Sequence, residues 1–520
     1  VVYLTPDELL RRNLVTGFRP FKFVKEFKAG LHVETVAKIF ALRSGVEIPP
    51  KGELPPGEIF RFRTHGFVEA PFRGPVQDAS PGDGSRGRGE PLPVFRGNTP
   101  APPFNRRTAL KTIINGGNYI LRMLAKKKET VQSKVHVAAD GKRKYLTELE
   151  LFPGETIIPR KGRVLRGQFR YIYYPLTDNM RVGGYSLPRH AGTTYALALL
   201  AGMLKGNPHV SAKQVQRFRD GAVLAIEYLA ERVNRGKCKG PGYRCVSLGP
   251  VTDLGSTALP VVAVMEYTRQ TGDKRFLKLG REMANFLVYM LEEDPAKPTG
   301  EFCHIYDVRK KARGCKKRLL YYSGEAALAL AMAYNVLGDE VYLDAAKKAL
   351  DYQTGPYLAP FTMKFLYGED HWTSMAVDEI WPHVKDDAYA DFAYGFARFQ
   401  QRQQFAPGET PYGDYVGGYG ITPFFPPHLT PAGSRTEAAV SAYRLSQKRK
   451  EPRHAIKTQC VRAFKYIHIH QVRWDNAYMF VNPALSHGAI RKSPVKFDVR
   501  IDYVQHTIAA MVRGLDMVPE

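Results

Sequence analysis

From residue 326 to 333 the chain reads Ala-Ala-Leu-Ala-Leu-Ala-Met-Ala, apolar on every side of a helix. A helix that is apolar all round is buried all round. Polar and aromatic residues lead into it. Tyr322 comes first, then Ser323 as the expected N-cap, then Glu325 in the first turn, where the helix dipole favours an anion. Gly338 closes the helix with a residue that tolerates the left-handed conformation. The next stretch, 339–352, is patterned differently. Leu343, Ala346, Ala349 and Leu350 share one helical face, and Asp344, Lys347, Lys348 and Asp351 the other. A buried helix followed at once by a half-exposed one is the repeating unit of the chain.

That alternation predicts twelve helices: 106–126, 189–204, 211–233, 253–265, 274–291, 322–338, 339–352, one from 368, 386–403, one from 433, 453–468 and 502–515. Three of the outer ones open with an acid one turn before an aromatic: Asp273 and Phe276, Asp339 and Tyr342, Asp386 and Tyr389. Six inner helices cannot bury themselves as separate hairpins. Closing them into a ring, with six amphipathic helices outside, buries them all. The expected fold is therefore all-α, an (α/α)6 toroid over 106–520, with an open helical solenoid as the rival. Small β insertions are expected: a hairpin around 139–141 and a strand at 170–175. Ahead of the toroid lie a basic segment of short helices (1–48) and a Pro/Gly-rich linker or extended arm (49–105). Within that arm a strand pair is expected over 57–68 and an exposed loop over 77–93.

Every inner helix is entered through polar residues. In order these are Arg189 and His190; Asp253 and Ser256; Tyr322, Ser323 and Glu325; Asp370, His371 and Trp372; Ser434, Arg435 and Glu437; Asp502, Gln505 and His506. A ring gathers these six sets at one mouth, whereas a solenoid spreads them along a groove. Asp253, Ser323 and Ser434 also read as ordinary helix caps, and Glu325 and Glu437 as first-turn acids that suit the dipole. Capping does not explain His371 beside Trp372, or Arg189 beside His190.

Charge narrows the partner. The net charge of +26 suits an anionic partner or simply a solvated basic surface. No nucleic-acid-binding signature accompanies it, so an acidic glycan or acidic cell surface is expected rather than a specific nucleic acid. Phe18, Phe21, Phe23 and Phe27 alternate with Lys and Arg, which fits packing on the main domain or anchoring to an anionic surface or assembly partner. No apolar run approaches the roughly 20 residues of a membrane span. Of five cysteines, Cys238 and Cys245 bracket one short loop and Cys303 and Cys315 another, while Cys460 stands alone. Two hairpin disulfides and a periplasmic or extracellular location are expected, with free thiols in a reducing compartment as the alternative. Neither pair has a zinc or redox spacing, and neither a cofactor nor a metal is expected.

Over 106–520 the chain resembles the six-hairpin glycosidase-like superfamily in helix count, inner–outer alternation and polar inner-helix starts. The order of Tyr-Tyr-Pro at 173–175, Arg-His-Ala-Gly at 189–192 and Tyr-Ser-Gly-Glu-Ala at 322–326 looks like uncharacterised bacterial members near the glucuronyl C5-epimerase group. The resemblance implies a carbohydrate-active protein working by hydrolysis, C5-epimerisation or β-elimination on an oligo- or polysaccharide, possibly uronate-containing. Hydrolysis needs a protonated carboxyl and a second carboxylate. Glu325, Asp370, Glu437 and Asp502 are the candidates, with Asp370 and Glu325 favoured, and a glycoside hydrolase is the expected activity. Epimerisation or elimination needs a proton-transfer group, from His190, His371, His506 or Tyr322, and a cation for the uronate carboxylate, from Arg189 or Arg435. Asp253 joins the substrate-binding set, and Trp372, Tyr322 and Tyr419 could stack on sugar rings. A non-enzymatic glycan-binding or surface-coat protein that keeps the toroid as a scaffold is the remaining reading.

Overall fold

The computed structural model describes residues 104–520 apart from 139, 148–154, 234–237, 292–299, 356–370, 408–412 and 421–426, together with four two-residue strands before residue 104. Those four are β1 (Val15–Thr16) paired with β2 (Gly30–Leu31), and β3 (Phe67–Val68) paired with β4 (Gln77–Asp78). Two corrections follow. The β-branched Val15 and Thr16 form strand where a helical segment was expected, and Gln77, expected in a loop, pairs with Val68. The remaining expectations for 1–103 lie outside the described residues.

Thirteen helices follow among the described residues. They are α1 (Arg106–Met123), α2 (Leu187–Met203), α3 (Ala212–Ala230), α4 (Gly255–Thr271), α5 (Leu277–Met290), α6 (Tyr322–Leu337), α7 (Glu340–Thr354), α8 (His371–Ile380), α9 (Asp387–Gln401), α10 (Leu429–Lys448), α11 (His454–His470), the single-turn α12 (Pro483–Ser486) and α13 (Ile501–Arg513). Helices α2, α4, α6, α8, α10 and α13 pack each against the next, and α13 packs back against α2. The ring is closed. Its burial follows the hydrophobic pattern: all eight residues from Ala326 to Ala333 are exposed by 1% or less. Helices α1, α3, α5, α7, α9 and α11 lie outside and bury one face only. In α7 that face is Tyr342, Ala345, Ala346, Ala349 and Leu350. The chain is an (α/α)6 toroid.

Three small sheets sit in the connections. β5 (Glu129–Val137) pairs with β6 (Arg143–Tyr145) as the expected hairpin and with β7 (Thr156–Val164) on its other edge. β8 (Ile172–Tyr174) lies between β9 (Asn179–Met180) and β13 (Val499–Arg500), which leads directly into α13. β10 (Val251–Asp253), which leads into α4, pairs with β11 (Ile305–Asp307), and β11 with β12 (Ala312–Gly314). Each sheet beside an inner helix fixes the segment that enters it. Disulfides join Cys238 to Cys245 and Cys303 to Cys315, and Cys460 is a buried free thiol on α11.

Several helix starts differ from expectation. The N-cap of α6 is Tyr321, held in the left-handed region at φ 75°, and Ser323 lies inside the first turn. Ser434 is no cap either, because α10 begins five residues earlier at Leu429. Asp253 does cap: its Oδ1 accepts from Ser256 N–H at 2.8 Å.

Candidate active site

The inner helices start close together because small residues let their first turns touch. A Cβ on Gly255 of α4 would stand 2.4 Å from Glu325 Oε2 and 2.7 Å from the Tyr322 ring, and one on Gly433 of α10 would stand 2.7 Å from His506 Cβ. Only glycine fits either contact.

The first and last inner helices are joined by charge. Arg189 Nε donates to Asp502 Oδ2 at 3.1 Å, and its Nη1 donates to the Tyr171 hydroxyl at 2.7 Å. Arg500, at the end of β13, donates to both oxygens of Asp502, at 2.5 and 2.8 Å. Burial alone would raise the Asp502 carboxyl, but Arg500 and then Arg189 outweigh it and hold it below the usual carboxylate range. The Arg189 side chain keeps 42% exposure, so its guanidinium still faces solvent.

Beside it, Asp253, Tyr322 and Glu325 share one electrostatic environment. Tyr322 is hydrogen-bonded to Asp253, and its hydroxyl is pushed up first by burial and then by the charges of Asp253 and Glu325. Glu325 is buried, and burial followed by the Asp253 charge holds its carboxyl well above the ordinary value, against a smaller opposing pull from Arg189. Its Oε2 has no hydrogen-bond partner. Glu325 is thus a carboxylic acid beside an aspartate.

The third group sits deeper. His506 Nδ1 lies 2.6 Å from Glu437 Oε2, and His371 Nε2 lies 3.9 Å from the same oxygen. The two imidazoles stand nearly perpendicular with centroids 5.1 Å apart, and the Trp372 ring packs against both. Glu437 is wholly buried, and burial raises its carboxyl above the ordinary value, against His506 and Arg513. Gln505 Nε2 is 3.1 Å from His506 Nδ1. Among the described residues, His371, Glu437 and His506 are the group whose ligand atoms could hold a metal ion, all within 4.8 Å of one another.

Nine expected residues therefore lie at the inner-helix starts around this point: Arg189, Asp253, Tyr322, Glu325, His371, Trp372, Glu437, Asp502 and His506. Three others face elsewhere. His190 is fully buried on the outer side of α2, where Nε2–H donates to Ala225 O at 3.0 Å and Nδ1 accepts from Tyr185 at 2.6 Å. Burial pushes its pKa down to about 3. Arg435 and Tyr419 are buried against each other, with Arg435 reaching Gly420 O and Tyr419 taking a bond from Gln459 of α11. The helical period explains both corrections. Neighbouring residues point about 100° apart and residues two apart point to nearly opposite sides, so His190 cannot follow Arg189, nor Arg435 follow Glu437, to the mouth. Trp372 packs on the two histidines instead of standing free as a sugar platform. Asp370 lies outside the described residues.

Arg500 and Tyr171 were not expected. Both come from strand-linked segments, and no helix-start pattern marks them. A Ser–His pair also occurs nearby. Leu319 N–H donates to His304 Nδ1 at 2.8 Å, so Nε2 carries the hydrogen toward Ser323 Oγ, also at 2.8 Å. An imidazole that donates to a hydroxyl does not deprotonate it, so this pair is not an activated nucleophile. A cavity of about 480 Å³, lined by Arg269, Glu379, Arg444 and Lys448 among others, opens at the opposite end of the ring, where α4, α8 and α10 finish. Its cations are tied to acids: Arg269 to Glu379 and Lys448 to Asp378. The chemistry-bearing groups are at the other end.

No family model and no curated protein sequence matches this chain. Solved structures similar to it include a cellobiose 2-epimerase from Bacillus thermoamylovorans, 13% identical, covering 67% of this chain and 92% of that one, with a TM-score of 0.49. A D-mannose isomerase is 12% identical over 67% of this chain and 91% of its own, with a TM-score of 0.46. A family 76 glycoside hydrolase from a bovine Bacteroides thetaiotaomicron strain is 10% identical over 75% and 85%, with a TM-score of 0.44.

Proposed function

We propose that the ring mouth is the active site of an enzyme that moves a proton on a saccharide, as a uronate C5-epimerase or lyase does. The observation that carries this is the His506–Glu437–His371 arrangement on three different inner helices. Epimerisation removes a proton from one face of a carbon and returns one to the other, so it needs two acid–base groups. The two imidazoles are that pair. His506, the more exposed of them, meets substrate first, and Glu437 orients it.

Arg189 supports a uronate as substrate. Its exposed guanidinium can pair with a sugar carboxylate and stabilise the charge that builds up there when the adjacent C–H is deprotonated. The basic surface draws acidic glycans toward the mouth. We also place the protein in an oxidising compartment, on the two disulfides.

Hydrolysis remains a second reading on one observation: burial favours the neutral form of Glu325 beside Asp253, which brings two carboxyl groups together. The other described acids are committed, Asp502 to Arg189 and Arg500, and Glu437 to His506. The experiment that separates the readings is incubation with uronate polysaccharides in deuterated water. Epimerisation predicts deuterium at C5 without new reducing ends, and elimination predicts the ultraviolet absorbance of an unsaturated uronate together with new reducing ends. Hydrolysis predicts new reducing ends with neither deuterium nor that absorbance.

A further inference from the structure

We propose that His371, Glu437 and His506 also form a binding site for a divalent transition ion, zinc by preference, and that its occupancy switches proton transfer off. The switch rests on the proton-transfer reading; the site itself does not.

The donor set is two imidazole nitrogens and a carboxylate, the ligand types zinc favours when a further position stays open for water. Each ligand comes from a different inner helix, α8, α10 and α13, so ring packing holds them in place. Zinc bonds of about 2.0–2.1 Å in tetrahedral geometry put neighbouring ligand atoms roughly 3.4 Å apart. The observed separations from Glu437 Oε2, 2.6 Å to His506 and 3.9 Å to His371, straddle that value. A small turn of the Glu437 carboxylate evens them out. The other oxygen, Glu437 Oε1, is buried and has no hydrogen-bond partner, so the carboxylate carries unused capacity at the centre of the group. The Trp372 ring covers the two imidazoles and limits water, and the Asp502 anion, one turn before His506, adds favourable charge. The Arg513 cation near Glu437 opposes it. A bound ion would take the lone pairs of His506 Nδ1 and His371 Nε2. With those nitrogens coordinated, the ring hydrogen of each neutral imidazole sits on its other nitrogen, and no free lone pair remains to take a proton.

The test uses the full chain, stripped with a chelator and titrated with cobalt(II), which is spectroscopically visible where zinc is silent. The expected result is one cobalt per chain with the visible absorption of a low-coordinate ion, displaced by zinc. Glu437→Gln and His371→Gln should weaken binding at least about tenfold, while His190→Gln and His304→Gln bind as wild type. Because a buried substitution can cost folding, His506→Cys is the second variant. It keeps a ligand and should add a thiolate-to-cobalt charge-transfer band. Equal cobalt binding by wild type and Glu437→Gln, no visible band in wild type, or no charge-transfer band in a folded His506→Cys chain would each overturn the site. With a uronate polysaccharide, deuterium incorporation should fall with the same midpoint as zinc binding. Incorporation that persists at full occupancy overturns the switch. Zinc binding by a chain that neither incorporates deuterium nor forms an unsaturated uronate contradicts the proton-transfer reading and leaves the site standing.

Discussion

Arg189 Nε donates to Asp502 Oδ2 at 3.1 Å across 313 residues of sequence. The bond ties the first inner helix to the last at the point where the ring closes, and Arg500 secures it from the adjoining strand. Asp502 thus has a structural duty that its place at a helix start does not reveal.

Replacing Asp502 with Asn should therefore destabilise the fold by about 3 kcal/mol at pH 7, the low end of the range for breaking a buried ion pair, because Arg189 is partly exposed. The Asp502 carboxyl titrates below its unfolded value. Its contribution is present above the unfolded aspartate pKa of about 3.9 and is lost as pH falls through the folded value. Denaturant unfolding of wild type and variant should differ at pH 7 and converge toward pH 3. A gap that stays constant with pH would contradict the ion-pair account.

Glu325 runs the other way. Its folded pKa is raised by burial and by Asp253. Stability from this group is full below the unfolded glutamate pKa and declines as pH rises toward the folded value. Glu325→Gln, neutral at every pH, should be at least as stable as wild type at pH 8 and should flatten the decline between pH 5 and 8. A variant markedly weaker than wild type at pH 8 would mean that the carboxylate is ionised and paired in the fold.

His190 tests the division between mouth and scaffold. Both ring nitrogens are engaged away from the site, and its pKa is depressed to about 3. A depressed histidine gives stability that is present above its unfolded pKa of about 6.5 and is lost as pH falls. His190→Gln should cost about 2 kcal/mol, from buried polar groups left poorly paired. It should also remove this component of the acid sensitivity. Turnover per folded molecule should be unchanged, and a large fall in turnover at full folding would return His190 to the site.

The toroid was legible in the sequence because apolar runs such as 326–333 leave a helix no polar face, and an alternation of inner and outer helices repeated six times has few ways to bury the inner ones. The loop disulfides were legible because each pair brackets a short Gly-containing turn. The site was legible only in part. His190 and Arg435 were placed at the mouth with Arg189 and Glu437, though the helical period sends them to other faces. Ser323 has the chemistry of a cap, yet the left-handed Tyr321 starts the helix two residues early, and the Ser323 hydroxyl meets His304 instead. The grouping of His371, Glu437 and His506 has no local signal. Glu437 and His506 are 69 residues apart, on neighbouring inner helices separated in the chain by α11 and α12.

The most direct measurement is deuterium incorporation at C5 of a uronate polysaccharide, followed by NMR for wild type and His506→Gln after both are shown to fold. The account predicts incorporation by wild type without new reducing ends, or ultraviolet absorbance with them if the step ends in elimination, either one falling about 10²–10⁴-fold in the variant, the usual worth of one general acid–base group. New reducing ends with neither deuterium nor ultraviolet absorbance, lost in Glu325→Gln and kept in His506→Gln, would contradict it and make the protein a hydrolase.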